Sequence, residues 1–209
     1  MLVIYFIRHG ESVGNKENRF RGRHDFDLSD NGINQAEALK NELSDISFDR
    51  IYTSPLMRAK KTAEIISRDR AEVISSEEMI NVSLGSWENQ IKDDIKNKYP
   101  ELWNTWLTAP EELNFEGMET FAEVQRRSYQ FIMQLVPRHP DQTIAIVSHR
   151  AVLKPLFAAL LGITGHYFWK IDIDTASYSI AEFRPQRGLT FTCINQNKHL
   201  KNFIRENLG

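Results

Sequence analysis

Leu2–Ile7 (LVIYFI) carries no polar position, and Thr143–Ser148 (TIAIVS) is polar only at its ends. A strand with one wet face alternates apolar and polar residues. A short run without alternation needs apolar cover on both faces. The cheapest cover is a layer of helices on each side, which is how mostly parallel sheets are built. These two runs therefore direct the chain toward an α/β fold before any other residue is considered.

The remaining pattern agrees. Ser29 reads as the N-cap of a helix over Asp30–Leu43, with Ile33, Ala36, Leu39 and Leu43 on one face. Arg50–Tyr52 reads as a short strand. Ser54-Pro55 then reads as a cap with proline at the first helical position, opening a helix to about Ser67. Glu72–Ile74 is a further short strand. Glu119–Val136 is the clearest helix, with Phe121, Val124, Ser128, Phe131, Ile132 and Leu135 at helical spacing. Ala151–Leu161 predicts another helix, and Tyr178–Arg184 with Leu189–Ile194 a closing hairpin. Between Ser83 and Gly117 the pattern changes to loop and short helix rich in aromatics, with Trp87, Trp103 and Trp106 expected to pack rather than stack on a substrate. The expectation is a three-layer α/β/α sandwich with a mostly parallel central sheet and right-handed crossovers. A lid-like insert at about 83–117 would cover the active site, and no linker or repeat divides the single domain 1–209.

Several function classes are disfavoured. Lys+Arg 26 against Asp+Glu 28 gives a net charge of -2, so no basic excess asks for nucleic acid or an anionic membrane. The one cysteine, Cys193, rules out an internal disulfide and a cysteine metal cage, and its apolar neighbours place it in the core. Met1–Ile7 has no basic region before it and Arg8-His9 directly after it, so it reads as a strand and not a secretion signal. The expectation is a soluble cytoplasmic protein, with a homodimer allowed for.

Ligands of parallel sheets gather beyond the carboxyl ends of the strands. Both apolar runs end at histidine, as Arg8-His9-Gly10 and Ser148-His149-Arg150. If the two strands are neighbours, their axes lie about 4.8 Å apart and both imidazoles face one pocket. A third strand runs into Thr53-Ser54-Pro55, with Arg58 one turn into the next helix. Arginine's planar fork matches phosphate oxygens, and a neutral histidine can attack phosphorus without losing a proton. The residues thus permit phosphoryl transfer with no metal and no cofactor.

Phe6-Ile7-Arg8-His9-Gly10-Glu11-Ser12 with Asn15 resembles the signature of the histidine phosphatase superfamily, which includes the cofactor-dependent phosphoglycerate mutases. The resemblance continues through Arg19–Gly22, Asp27–Gly32, Thr53–Ala59, Gly85-Ser86-Trp87-Glu88, Glu116–Glu119, Val147-Ser148-His149 and Ala176–Ser179, in the family's order. It implies that His9 is the phosphorylated nucleophile, with Arg8, Arg58 and His149 completing the catalytic phosphate pocket. Asn15, Arg21 and Gly22 would lie beside the phosphoryl group, with Asn81, Arg150 and His199 as further substrate or phosphate contacts. The substrate would be a small phosphorylated metabolite. The compact chain is similar to the phosphatase branch, especially metal-independent phosphoserine phosphatases. Mutase-type and alpha-ribazole phosphatase activities share the same skeleton.

Three positions depart from the family pattern. The family's proton donor is a glutamate four residues before the Gly-x-Trp glycine, and here that position is Asn81; Glu77 or Glu78 would serve only in a shifted register. Arg150 stands where the family commonly has a small residue, and Leu84 where the phosphoserine branch has histidine. Two rival readings follow. Asp172-Ile173-Asp174-Thr175-Ala176 resembles the loop of magnesium phosphatases of the haloacid dehalogenase type, though alanine ends it. Asn81 would also suit a phosphate-compound binding protein with weakened catalysis. His24, His139 and His166 are expected to be solvated loop residues.

Overall fold

The computed structural model describes residues 1–201, and within them a six-stranded sheet has the order β3-β2-β4-β1-β5-β6. The strands are β1 (Val3–Arg8), β2 (Arg50–Thr53), β3 (Glu72–Ser75), β4 (Thr143–Ser148), β5 (Tyr178–Arg184) and β6 (Gly188–Gln196). The first four are mutually parallel, and β5 and β6 add an antiparallel edge. The helices are α1 (Val13–Lys16), α2 (Asp30–Glu42), α3 (Met57–Ser67), α4 (Lys92–Lys98), α5 (Pro100–Thr108), α6 (Phe121–Leu135) and α7 (Arg150–Leu161). The fold is therefore the α/β sandwich expected.

The two apolar runs are central because each face of each strand meets a different helical layer. Ile4, Phe6, Ile144 and Ile146 pack with Phe121, Val124, Ile132, Leu153 and Phe157 of α6 and α7. The alternate residues Tyr5, Ile7, Ala145 and Val147 pack with Leu39, Ala59, Ala63 and Ile66 of α2 and α3. The period-2 geometry of a strand sorts one continuous apolar run into two cores.

The 83–117 segment contributes α4, α5 and short 3-10 turns. Trp87 packs against Phe20 and Phe115, with ring centroids 4.9 and 4.6 Å away, and Trp106 packs against Phe20 at 5.3 Å. Glu111 accepts the backbone N–H groups of Tyr167 and Phe168, and the Trp106 carbonyl accepts the Trp169 indole N–H, which fastens this segment to the loop after α7.

Some boundaries and burial assignments differ from the sequence reading. The helix expected to start at Pro55 begins at Met57, with Leu56 at its N-cap and no side-chain cap. Ser54 is spent elsewhere, on His149 (below). His139 is buried, not solvated: its ring nitrogens meet the Tyr52 hydroxyl at 2.8 Å and Gln142 Oε1 at 2.5 Å. Cys193 is half-buried because β6 is an edge strand with only one paired side. Thr120 and Glu123 form a reciprocal capping box that opens α6 at Phe121, two residues inside the span read from sequence.

Ile132 and Met133 are neighbours on α6 with opposite surroundings, 0% and 38% exposed. Ile132→Ala should lower unfolding free energy by about 2–5 kcal/mol through lost contacts and a residual cavity. Met133→Ala should change it by less than about 0.5 kcal/mol. Urea midpoints at unchanged slope would check both, and equal effects would refute the assigned helix face.

Candidate active site

The strand order makes the site. β4 lies between β1 and β2, with Arg8 opposite Ser148 and Thr53 opposite Val147. The chain leaves all three strands at the same edge. There the His9 N–H donates to the Ser148 carbonyl at 3.0 Å and the Ser54 N–H to the Val147 carbonyl at 3.0 Å. The His9 and His149 rings consequently sit 5.0 Å apart, centroid to centroid, and both are 2% exposed.

Each imidazole has a defined partner. His9 Nδ1 lies 2.6 Å from the Gly10 carbonyl oxygen, which can only accept, so Nδ1 carries the proton and Nε2 keeps its lone pair. The Gly10 N–H donates to Thr62 Oγ1, whose hydroxyl donates to the Arg58 carbonyl, tying this loop to α3. His149 Nε2 lies 2.8 Å from Ser54 Oγ. That hydroxyl also accepts the Leu56 N–H; in the tautomer in which it gives its one proton to Nε2, His149 carries an N–H at Nδ1. Nδ1 itself is buried and has no partner.

The cations come from separate elements. Arg8 donates to the Ile173 carbonyl at 2.7 Å. Arg58 is fully buried and donates to the carbonyls of His24 and Gly22 at 3.0 and 2.9 Å, leaving a buried Nε without a partner. Burial first, and Arg21 next, bring the Arg58 guanidinium down to about 9, so it stays cationic at neutral pH. Gly22 permits this geometry: its φ is +48°, and a Cβ there would come within 2.5 Å of the Glu88 carboxylate.

A cavity of about 40 Å³ opens beside Arg8 and the two histidines; Arg58 is outside its lining, bonded to the carbonyl of Gly22, which does line it. Arg8, His9, Arg21, Gly22, Asn81, His149 and Arg150 all line it, joined by Lys92, Phe20, Trp106 and Phe121. Four of its described lining residues are cationic and none is a carboxylate, so positive charge predominates in the lining. A larger groove of about 970 Å³ lies at the opposite, amino-terminal edge of β1, beside Met1, Pro137 and Pro185, far from both histidines in the fold.

Four expected residues fall elsewhere. Asn15 is outside the cavity lining: its Oδ1 accepts from the Ser12 N–H and hydroxyl, and its buried Nδ2 has no partner. His199 lies beside α2, with Nε2 on the Ala176 carbonyl at 3.0 Å and its ring by Tyr178; it does not line the cavity, because the chain returns past β5 on the α2 face. Glu77 and Glu78 are exposed, and Glu78 is held low by its hydrogen bond from Ser76, so no shifted register brings either to the histidines. Asn81 occupies the position itself. The Asp172–Ala176 loop is structural: Asp174 accepts from Asn195 and Asn197, and Ile173 holds Arg8.

Lys92 and Ser54 were not singled out by sequence reasoning. Lys92 opens a short helix in the insert and has no motif around it. Ser54 had a signal, the Ser-Pro pair, which local rules assign to helix capping. Among the described residues no group of three or more His, Cys, Asp or Glu could hold a metal ion, and no helix is long and apolar enough to cross a membrane.

Both imidazoles are held neutral. Burial lowers His9 most, followed by Arg58 and Arg8; burial lowers His149 most, followed by Arg58 and His9. In the unfolded chain both would titrate near 6.5. Between that value and their depressed folded values the unfolded state binds more protons, so stability is lost as pH falls below about 6.5. The melting temperature should decline from pH 6.5 downward, and a His9→Asn, His149→Asn double variant should show a shallower decline. An unchanged slope in the variant would contradict this origin.

The chain can be compared with known proteins on this basis. The family model for the histidine phosphatase superfamily (branch 1) matches residues 4–197. Phosphoserine phosphatase 1 of Hydrogenobacter thermophilus is 35% identical over 207 residues, covering 99% of this chain and 98% of that protein. An adenosylcobalamin/alpha-ribazole phosphatase of Escherichia coli is 29% identical, covering 92% and 95%. The solved structure of Bacillus stearothermophilus YhfR superposes with a TM-score of 0.91 at 29% identity, covering 95% of this chain and 99% of that one. The chain belongs to the histidine phosphatase superfamily, branch 1, and its activity class is that of a phosphatase.

Proposed function

We propose that the protein hydrolyses a small phosphorylated metabolite through a phosphohistidine on His9 Nε2. The observation that carries this is the 2.6 Å contact from His9 Nδ1 to the Gly10 carbonyl, which leaves Nε2 unprotonated beside a cationic cavity. In the first step the Nε2 lone pair forms a bond to phosphorus and the ester P–O bond breaks, releasing the alcohol oxygen with its electron pair. Arg8, Arg58, Arg21 and the His149 Nδ1–H would stabilise the charge spread over the phosphoryl oxygens. In the second step water attacks phosphorus, the P–N bond breaks, and inorganic phosphate leaves with His9 restored. A neutral imidazole needs no metal to activate it.

Phosphoserine is the substrate we favour, supported by the 35% identity to the Hydrogenobacter phosphatase across nearly both chains. An alpha-ribazole-type phosphomonoester is the second reading, supported by the Escherichia relative. His9→Ala should cost at least about 10³ in kcat, and quenched turnover should yield acid-labile phosphate on His9 of the unaltered enzyme. Activity should persist in excess EDTA. A near-normal rate in the variant, or loss on chelation restored by Mg²⁺, would overturn the mechanism.

The leaving oxygen needs a proton, and the cavity offers no carboxylic acid among its described lining residues. Asn81 cannot replace one. We infer that protonation limits the rate with alkyl phosphates and matters less with aryl phosphates, whose phenolates leave unaided. Asn81→Glu should raise alkyl phosphate turnover about 10-fold or more, the low side of general acid contributions. No change on that substitution would show that the proton comes from elsewhere.

A further inference from the structure

Asn81 is 7% exposed and lines the cavity with His9 and His149. Its Nδ2 donates to the Gly22 carbonyl at 2.8 Å, and that same carbonyl accepts Arg58 Nη2 at 2.9 Å. Turning the amide over would set Oδ1 against a carbonyl oxygen, two acceptors face to face, so the orientation is determined. The residue is also gripped from outside. Its backbone carbonyl accepts from Arg23 Nε at 3.1 Å and Arg127 Nη2 at 3.4 Å, and both arginines pair with Glu119. The atom left over is Oδ1, which is buried and has no partner.

A buried acceptor without a donor is costly, and the cost is removed when a ligand supplies the hydrogen. The transferred phosphoryl group cannot do so, because its ionised oxygens are acceptors. A donor brought by the ligand therefore comes from the alcohol half of the ester, and water is the alternative source. We propose that Asn81 is a specificity-determining residue: Oδ1 accepts a hydroxyl or ammonium carried beside the ester carbon, so the enzyme prefers phosphomonoesters of alcohols bearing a neighbouring hydrogen-bond donor. At this position the chain exchanges a proton for recognition. A protonated carboxyl would donate toward the leaving oxygen, whereas the locked amide presents only an acceptor. The inference rests on the phosphatase reading and names the substrate class of the same site.

Three esters share a carboxylate and a primary phosphate and differ at one carbon: 3-phosphoserine with an ammonium, 3-phosphoglycerate with a hydroxyl, and the phosphate ester of 3-hydroxypropanoate with neither. The expected result is a kcat/KM at least about 10-fold higher for one or both donor-bearing esters than for the third, the size of one well-made hydrogen bond. Whether ammonium or hydroxyl leads identifies the natural donor. Asn81→Leu should bring the ratio to within about threefold of one. Each ratio is taken within one variant, so a partly unfolded preparation does not distort it. A ratio near one in the unaltered enzyme, or a preference that survives Asn81→Leu, overturns the proposal. A flat ratio with a uniform fall in kcat in Asn81→Leu also overturns it, and assigns Oδ1 to the hydrolytic water. Failure to release phosphate from any of the three and from p-nitrophenyl phosphate would instead overturn the phosphatase reading, and this inference with it.

Discussion

The parallel pairing of β4 between β1 and β2 is the constraint from which the site follows. It delivers Arg8-His9, Ser54 and His149, three separate stretches of sequence, to one edge, where His149 bonds Ser54 and its ring lies 5.0 Å from that of His9. Burial on both faces makes this pairing rigid. Strands whose alternate residues fill two separate cores cannot slip by one position without turning both cores inside out. The catalytic geometry therefore inherits its accuracy from apolar packing, with loops needed only to finish it.

Electrostatics works against folding here and in favour of chemistry. Arg8, Arg58, His9 and His149 are buried together; the described cavity lining holds no carboxylate, and Asp25 and Glu88 act on Arg58 from outside that lining. The arginines are tolerated because backbone carbonyls of Gly22, His24 and Ile173 accept their protons. The histidines respond by staying neutral. Both responses suit phosphoryl transfer. Neutral His9 has a lone pair to give, and a small cavity lined by cations favours a phosphate dianion.

Gly22 links the two halves of this arrangement. Its carbonyl accepts from Arg58 and from Asn81. A left-handed backbone with no Cβ is required to aim that carbonyl inward beside Glu88. One peptide oxygen thus fixes the orientation of a guanidinium and of an amide, which explains how a neutral side chain in place of an acid can still be held firmly.

Much of this was legible in the residues. Continuous apolar runs without alternation required a two-sided sheet, and helical spacing over Phe121–Leu135 identified the helix that covers it. Arg-His-Gly and Ser-His at strand ends marked where chemistry would collect, and the family resemblance, through its register before Gly85, pointed to Asn81, which lines the cavity. Local pattern went no further, because side-chain partners depend on neighbours distant in sequence. Ser54 has the form of a helix cap and serves His149, 95 positions away. His139 looks like a loop residue and is buried by Tyr52. His199 resembles a substrate contact, yet the chain passes it along α2. Lys92 has no motif and reaches the cavity only because the insert folds over it. Periodicity and residue type determined the layers and the reactive groups of this protein; tertiary structure alone decided which hydrogen-bonding atoms remain unspent, since that depends on every partner the rest of the chain supplies.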